Sequence, residues 1–237
     1  MNTLWAAVGA AAGLPIGAAL RGPVFRLAVP SGADPRTVCP ACGSGVRYWA
    51  PARCPGCRRF LGPPGGLELA TAAVLALLLG RYGAAPPTLA FAAFGVLGVA
   101  LAAIDIEVQR LPDRLTLPAF PALLALLSVG ALAGHDWRDL ARAALGALAL
   151  AGGYLLLAVV RPGQMGGGDI KLAASAGLAM GWLGWPDLLL GTALGFILSA
   201  VVSLALLAAR RITLRGAIPF GPFMIGGALL AMLGGHP

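Results

Sequence analysis

The chain has 237 residues, of which 59% are hydrophobic and 11% charged, whereas a soluble domain carries about 25% charged residues. At a mean hydropathy of +0.86, it has too little charge to cover a water-facing surface, and it is too apolar for a disordered chain. The net charge of +8 comes from only 17 Lys and Arg. That is too few for a nucleic-acid binder, so the composition points to an all-α polytopic membrane protein whose basic residues report topology.

A bilayer core asks for about 20 mostly apolar residues per helix. In chain order the candidates are Leu4–Leu20, Leu67–Gly83, Pro87–Ile106, Leu115–Gly134, Leu140–Val160, Ile170–Trp185, Leu188–Ala209 and Ala217–Gly235, about eight transmembrane helices. The first is too interrupted by Gly, and too poor in N-terminal charge, to read as a cleaved signal peptide. Trp182 and Trp185 fit an interfacial belt. Three parts follow: a first transmembrane helix (1–20), a cytoplasmic loop (21–66) and a transmembrane bundle (67–237).

Basic residues gather in the odd connections: seven from Arg21 to Gly66, then Arg110 and Arg114, Arg161 and Lys171, and Arg210, Arg211 and Arg215. Arg81, Arg138 and Arg142 lie in the even ones. This asymmetry predicts odd connections in the cytoplasm and both termini outside.

All four cysteines fall in the long loop, as Cys39-Pro-Ala-Cys42 and Cys54-Pro-Gly-Cys57. Two C-x2-C knuckles can set four thiolates tetrahedrally around a structural Zn²⁺, as in a small zinc ribbon, and a cytoplasmic loop disfavours disulfides. A closed site of four thiolates has no open position for substrate, so it braces the loop and takes no part in catalysis.

Most of the nine acidic residues sit at connections. Asp136, Asp139 and Asp187 read as solvated or helix-starting acids, and Glu68 as an acid opening the second span. Asp105 differs, because it continues the apolar run Gly98–Ile104, where an ionisable group is costly and marks function. Asp169 follows Gly166, Gly167 and Gly168 and leads straight into a span; the glycines allow close approach and unusual dihedrals. On the predicted topology the two acids lie at matched depth. One protonated and one ionised carboxylate can together activate a water and protonate a leaving amine; the other reading is two separate structural acids. Lys171 could stabilise the Asp169 carboxylate, orient its loop or anchor the span. His135 and His236 receive no role. Gly152, Gly153, Gly191 and Gly195 suit close helix packing.

Gly166–Asp169 with Ile170 and Lys171 resembles the Gly-x-Gly-Asp signature of the prepilin leader peptidases, membrane aspartyl proteases of type IV pilus and type II secretion systems. Asp105 through Pro112, Asp113 and Thr116 is similar to that family's first catalytic segment. The four-cysteine loop, Glu68 and the stretch Ile218–Phe223 also match, in family order. The resemblance implies Asp105 and Asp169 as catalytic pair, with Gly166, Gly168 and Lys171 in support, and no metal for the cleavage. It implies cleavage of a basic leader from type IV pilin-like precursors, after a Gly and before an aromatic or hydrophobic residue, at the cytoplasmic face of a bacterial inner membrane. Glu107 and Asp113 are candidates for receiving the leader's basic residues. Many long-form members also N-methylate the new terminus with S-adenosylmethionine. Here the opening motif has no Asn after Gly13, the stretch between the knuckles is short, and Gly62–Gly66 replaces the usual lead-in to Glu68. These departures fall in the part associated with methylation and leave that activity open.

Two other readings remain at this level. The presenilin type of intramembrane protease shares Gly-x-Gly-Asp but expects Tyr-Asp at the first acid. A proton-coupled transporter would use Asp105 and Asp169 as a relay.

Overall fold

The computed structural model describes residues 2–48, 53–62, 65–163, 165–213 and 218–235. Arg215, Ala217 and His236 lie outside the described residues. Among the described residues eight helices follow one another: α1 (Thr3–Leu27), α2 (Gly66–Tyr82), α3 (Thr88–Val108), α4 (Asp113–Gly134), α5 (Trp137–Val160), α6 (Gly167–Leu183), α7 (Trp185–Ala208) and α8 (Gly221–Gly234). Among the described residues, five helices (α1, α3, α4, α5 and α7) are long and apolar enough to cross a membrane. The predicted all-α class and its helix order therefore hold. The last helix, at 14 residues, spans only about 21 Å, and Pro219 and Pro222 delay its start relative to the prediction. The chain divides into two compact units, Met1–Pro112 and Asp113–Pro237.

In the first unit α1 packs along α2, and both touch α3. Asn2 caps α1, its Oδ1 accepting the Leu4 and Trp5 amides at 3.1 and 3.4 Å. The α1–α2 seam is a ladder of Gly9, Gly13 and Gly17, one per turn, each set against α2 backbone. A Cβ at Gly17 would stand 2.5 Å from the Glu68 Cα, so the helices meet at a distance only glycine permits. The first helix runs to Leu27, well past the predicted end at Leu20. The charge at Arg21 does not end the helix, because Glu68 neutralises it inside the unit and the helix continues through it.

In the second unit α6 is the hub, touching α4, α5, α7 and α8, and nearly every residue from Leu172 to Trp182 is buried. Gly146 of α5 and Gly177 of α6 face each other; a Cβ at Gly177 would lie 2.6 Å from the Gly146 carbonyl. On α7, Gly191 and Gly195 press on α8, as expected. Other expectations are corrected. Gly152 and Gly153 face open space, because α5 turns that side away from its neighbours. Trp182 is only 5% exposed, an interior residue of the hub, while Trp185 is exposed and opens α7. Of the two readings given for Asp187, the helix-starting one holds, since it stands in the first turn of α7, and the solvated one does not, since it is 9% exposed.

Candidate active site and metal centre

The two cysteine knuckles are built alike. The Cys39 amide donates to the Ser44 carbonyl, and the Gly43 amide donates back to the Cys39 carbonyl. The Cys54 amide donates to the Arg59 carbonyl, and the Arg58 amide to the Cys54 carbonyl. Isolated β-bridges, Val38 to Gly45 and Arg53 to Phe60, close the two turns. The residue after each second cysteine has a left-handed backbone, with φ 71° at Gly43 and 57° at Arg58. Glycine adopts this region freely and arginine does not.

This geometry brings all four Sγ atoms within 4.8 Å of one another. Cys39 and Cys57 Sγ stand 3.8 Å apart, and Cys42 and Cys54 Sγ 3.5 Å. Four thiolates each at about 2.3 Å from a tetrahedral zinc are separated by about 3.8 Å, so donor type and spacing both fit Zn²⁺. The Ser44 hydroxyl and amide hold the Cys42 thiol down to about 6. At Cys57 the Arg59 amide acts in the same direction, but burial and the neighbouring cysteines outweigh it and push that thiol up to about 11.

The loop is docked on its own unit. Cys39, Val46, Cys54 and Leu61 form a small core against Phe25 of α1. Arg26 donates to the Val46 carbonyl at 3.0 Å and Arg110 to the Pro30 carbonyl at 3.0 Å. Arg36 lies over the Phe25 ring and pairs with Glu107 at 3.4 Å. Arg21 donates from Nε and Nη2 to the two Glu68 oxygens, both at 2.6 Å, and from Nη1 toward the Leu61 and Gly62 carbonyls. Sequence reasoning missed this link; an Arg beside Gly-Pro at the end of an apolar run was its only signal. Several cations counted as topology signals thus also hold the loop in place.

Asp105 lies near the end of α3 and is 4% exposed, so its burial agrees with the reading of an acid inside an apolar run. Beyond it, Gln109 takes a left-handed conformation and stops the helix.

Asp169 occupies the first turn of α6. Its Oδ2 accepts the Gly166 amide at 3.1 Å, while its own amide donates to the Gly166 carbonyl. A Cβ at Gly166 would sit 3.1 Å from the same Oδ2. A side chain at the motif's first glycine would therefore crowd the Asp169 carboxylate. The Gly166 dihedrals are ordinary, φ −77° and ψ 146°, so the expectation of unusual dihedrals is corrected there. Lys171 points to Asp113 of α4 and not to Asp169, with Nζ 2.5 Å from Asp113 Oδ1. The two acids considered for leader recognition, Glu107 and Asp113, are therefore both engaged by this chain's own cations.

Asp169 also forms part of the wall of a cavity of about 490 Å³, with Phe196, Ser199 and Ser203 of α7 and Phe220 before α8. Tyr154 of α5 backs it. The Tyr154, Phe196 and Phe220 rings stand 5.2–5.9 Å apart, centroid to centroid, and Tyr154 is within electrostatic reach of Asp169. Sequence reasoning gave none of these aromatic and serine residues a place in the site. Phe196, Ser199, Ser203 and Leu207 fall on one face of α7 at helical spacing, and two serines on one face of an apolar span were the available signal.

Residues 91–208 match the type IV leader peptidase family, a stretch that contains both Asp105 and Asp169. Proteins named prepilin leader peptidase/N-methyltransferase are similar over most of the chain. The protein of Burkholderia pseudomallei (strain K96243) is 34% identical over 224 residues, covering 86% of this chain and 68% of the relative. That of Aeromonas salmonicida (strain A449) is 31% identical, over 85% of this chain and 72% of the relative, and that of Pseudomonas aeruginosa (strain PAO1) is 30% identical, with the same shares. The chain belongs to the type IV leader peptidase family. It is a membrane protein and a protease. No solved structure matches it.

Proposed function

We propose that this chain cleaves the basic leader of type IV prepilin-like precursors, and that Asp105 and Asp169 are its catalytic pair. The observation that supports it most directly is the Asp169 carboxylate, fixed by the Gly166 amide at the start of the hub helix and set in a cavity wall. In the reaction one aspartate is ionised and takes a proton from water as that water attacks the scissile carbonyl. The other is protonated and gives its proton to the departing amine, and the pair titrates as a unit. No step passes through zinc. Lys171, Gly166 and Gly168 act by fixing the first turns of α6.

The cut is placed at the cytoplasmic face of the bacterial inner membrane, with both termini outside and all eight helices in the bilayer. The 14-to-3 excess of cations in the odd connections supports this orientation. The exposed leucines of α5 and α7 would then face lipid. Residues 1–20 form the first membrane helix, 21–66 the cytoplasmic loop braced by one Zn²⁺ on Cys39, Cys42, Cys54 and Cys57, and 67–237 the peptidase bundle.

N-methylation of the new terminus is proposed as the second activity, on the names of the relatives. S-adenosylmethionine would supply the methyl group. The α1–α2 seam around Gly13 and Gly17 is closed by direct backbone packing and leaves no room for a cofactor there, so no methyl-transfer step is assigned to it.

The test is co-expression with a prepilin-like substrate in cells lacking their own processing enzyme. The wild-type chain shortens the precursor, and Asp105→Ala or Asp169→Ala leaves it whole. Near-normal processing by either variant overturns the assignment of the pair. Mass spectrometry of the mature terminus reports methylation separately, as an added mass of about 14 Da, one methyl in place of hydrogen, or none.

A further inference from the structure

We propose that the cavity beside Asp169 is a specificity pocket, and that it receives the apolar side chain immediately beyond the scissile bond, on the part of the substrate that enters the membrane. The proposal rests on the peptidase reading above and names which residues choose the substrate.

Among the described residues the cavity wall contains one carboxylate, Asp169, and is otherwise apolar or hydroxylic. Along α7 it runs from Phe196 to Leu207, about 16 Å at the helical rise. Its floor is formed by Phe196 and Phe220, backed by the buried Tyr154 ring, and Ile212 and Thr213 stand at the other end. Such a floor accepts an aromatic or large aliphatic side chain through offset ring contacts and burial. Among the described residues its one charged partner for a Lys or Arg is Asp169 itself, which a basic side chain would occupy and so remove from the chemistry. The basic leader therefore belongs on the other side of the cut, and the apolar portion belongs here.

The hydroxyls give the same direction. A peptide extended past an aspartate in an apolar setting needs partners for its main-chain groups. The Ser203 hydroxyl donates to the Ser199 carbonyl at 2.6 Å, while the Ser199 hydroxyl has no hydrogen-bond partner among the described residues. Ser199 is therefore free to meet the main chain of an occupant. Phe196 and Phe220 set how large that occupant's side chain can be.

The experiment uses the full chain in lipid vesicles and a set of otherwise identical precursors whose first residue after the cut is Phe, Leu or Ala. Phe196→Ala enlarges the floor and removes a ring contact. It is expected to lower the kcat/KM preference for Phe over Ala by about tenfold, the scale of a lost apolar contact in a binding pocket. Ser199→Phe fills the pocket, and is expected to raise KM more for the Phe precursor than for the Ala precursor. Unchanged preference ratios, or equal losses on all three substrates, overturn the proposal.

A second measurement does not need turnover. A photoreactive phenylalanine in place of Phe196, in an Asp169→Asn background that leaves the precursor whole, is expected to crosslink to the apolar segment of the Phe precursor. Crosslinks only to the leader, or none, overturn the pocket. If the wild-type chain leaves every precursor uncut, the peptidase reading fails, and the crosslink still decides the pocket by itself.

Discussion

Arg21 of α1 and Glu68 of α2 form a two-pronged ion pair, with both N···O distances 2.6 Å and the Arg21 side chain fully enclosed. The third guanidinium nitrogen reaches the carbonyls of Leu61 and Gly62, and the Phe60 ring lies 5.6 Å from the guanidinium carbon. One side chain thus ties the end of the cysteine loop to the helix that follows it. Removing Glu68 leaves a buried cation without its counter-ion, at a cost of about 3–5 kcal/mol. Glu68→Ala is expected to unfold at much lower temperature than wild type in detergent micelles. The double variant Arg21→Met with Glu68→Leu removes both charges and is expected to recover most of that loss. An unchanged melting temperature in the single variant would show that the pair carries no stability.

The glycine ladder makes a second prediction. Gly13 and Gly17 leave no space for a Cβ against α2. Gly17→Val must push the two helices apart, with an expected loss of several kcal/mol, about the cost of overpacking a core site or more. Limited proteolysis between α1 and α2 checks it. The same substitution at Gly152, which faces open space, is expected to leave the digestion pattern as in wild type.

Lys171 and Asp113 make the third. The pair is half exposed, so its worth to stability is about 0–1 kcal/mol. Lys171→Met is therefore expected to fold normally. Its effect should appear in processing rate, because it frees the first turns of α6 from α4 and loosens Asp169. The exchange Asp113→Lys with Lys171→Asp restores the tie and is expected to recover rate. Loss of rate in the single variant without recovery in the exchange would indicate that Lys171 acts on Asp169 directly and not through position.

What the sequence revealed and what it hid follow from the physics of the residues involved. Apolar runs were legible because a span is a local property of composition, and so was the cysteine quartet, because ligand spacing within a knuckle is local too. Asp105 and Asp169 stood out because each interrupts or opens an apolar run. The Arg21–Glu68 pair was not legible, since its partners are 47 residues apart and a helix was ended at a charge that its fold neutralises. Burial at Asp187 and Trp182 was missed for the same reason: it depends on which neighbours α6 and α7 meet. The aromatic cluster of Tyr154, Phe196 and Phe220 joins three segments that no spacing rule connects.

The loop supports the last prediction. Its two knuckles have the same hydrogen bonds and the same left-handed residue after the second cysteine, but the first uses Gly43 and the second Arg58. A non-glycine residue held left-handed costs about 1–2 kcal/mol, partly offset by the greater freedom glycine has in the unfolded loop. Arg58→Gly is therefore expected to strengthen zinc binding by a few-fold, about 1 kcal/mol. Competition with a chromogenic chelator, using the full chain in detergent, measures it. The wild-type chain should hold one zinc, and each of Cys39→Ser, Cys42→Ser, Cys54→Ser and Cys57→Ser should weaken it by orders of magnitude, because a closed tetrahedral site has no spare ligand. Weaker binding in Arg58→Gly would mean that the arginine side chain contributes more to the knuckle than its backbone strain costs. Retention of full affinity in all four serine variants would mean that the thiols do not hold the metal.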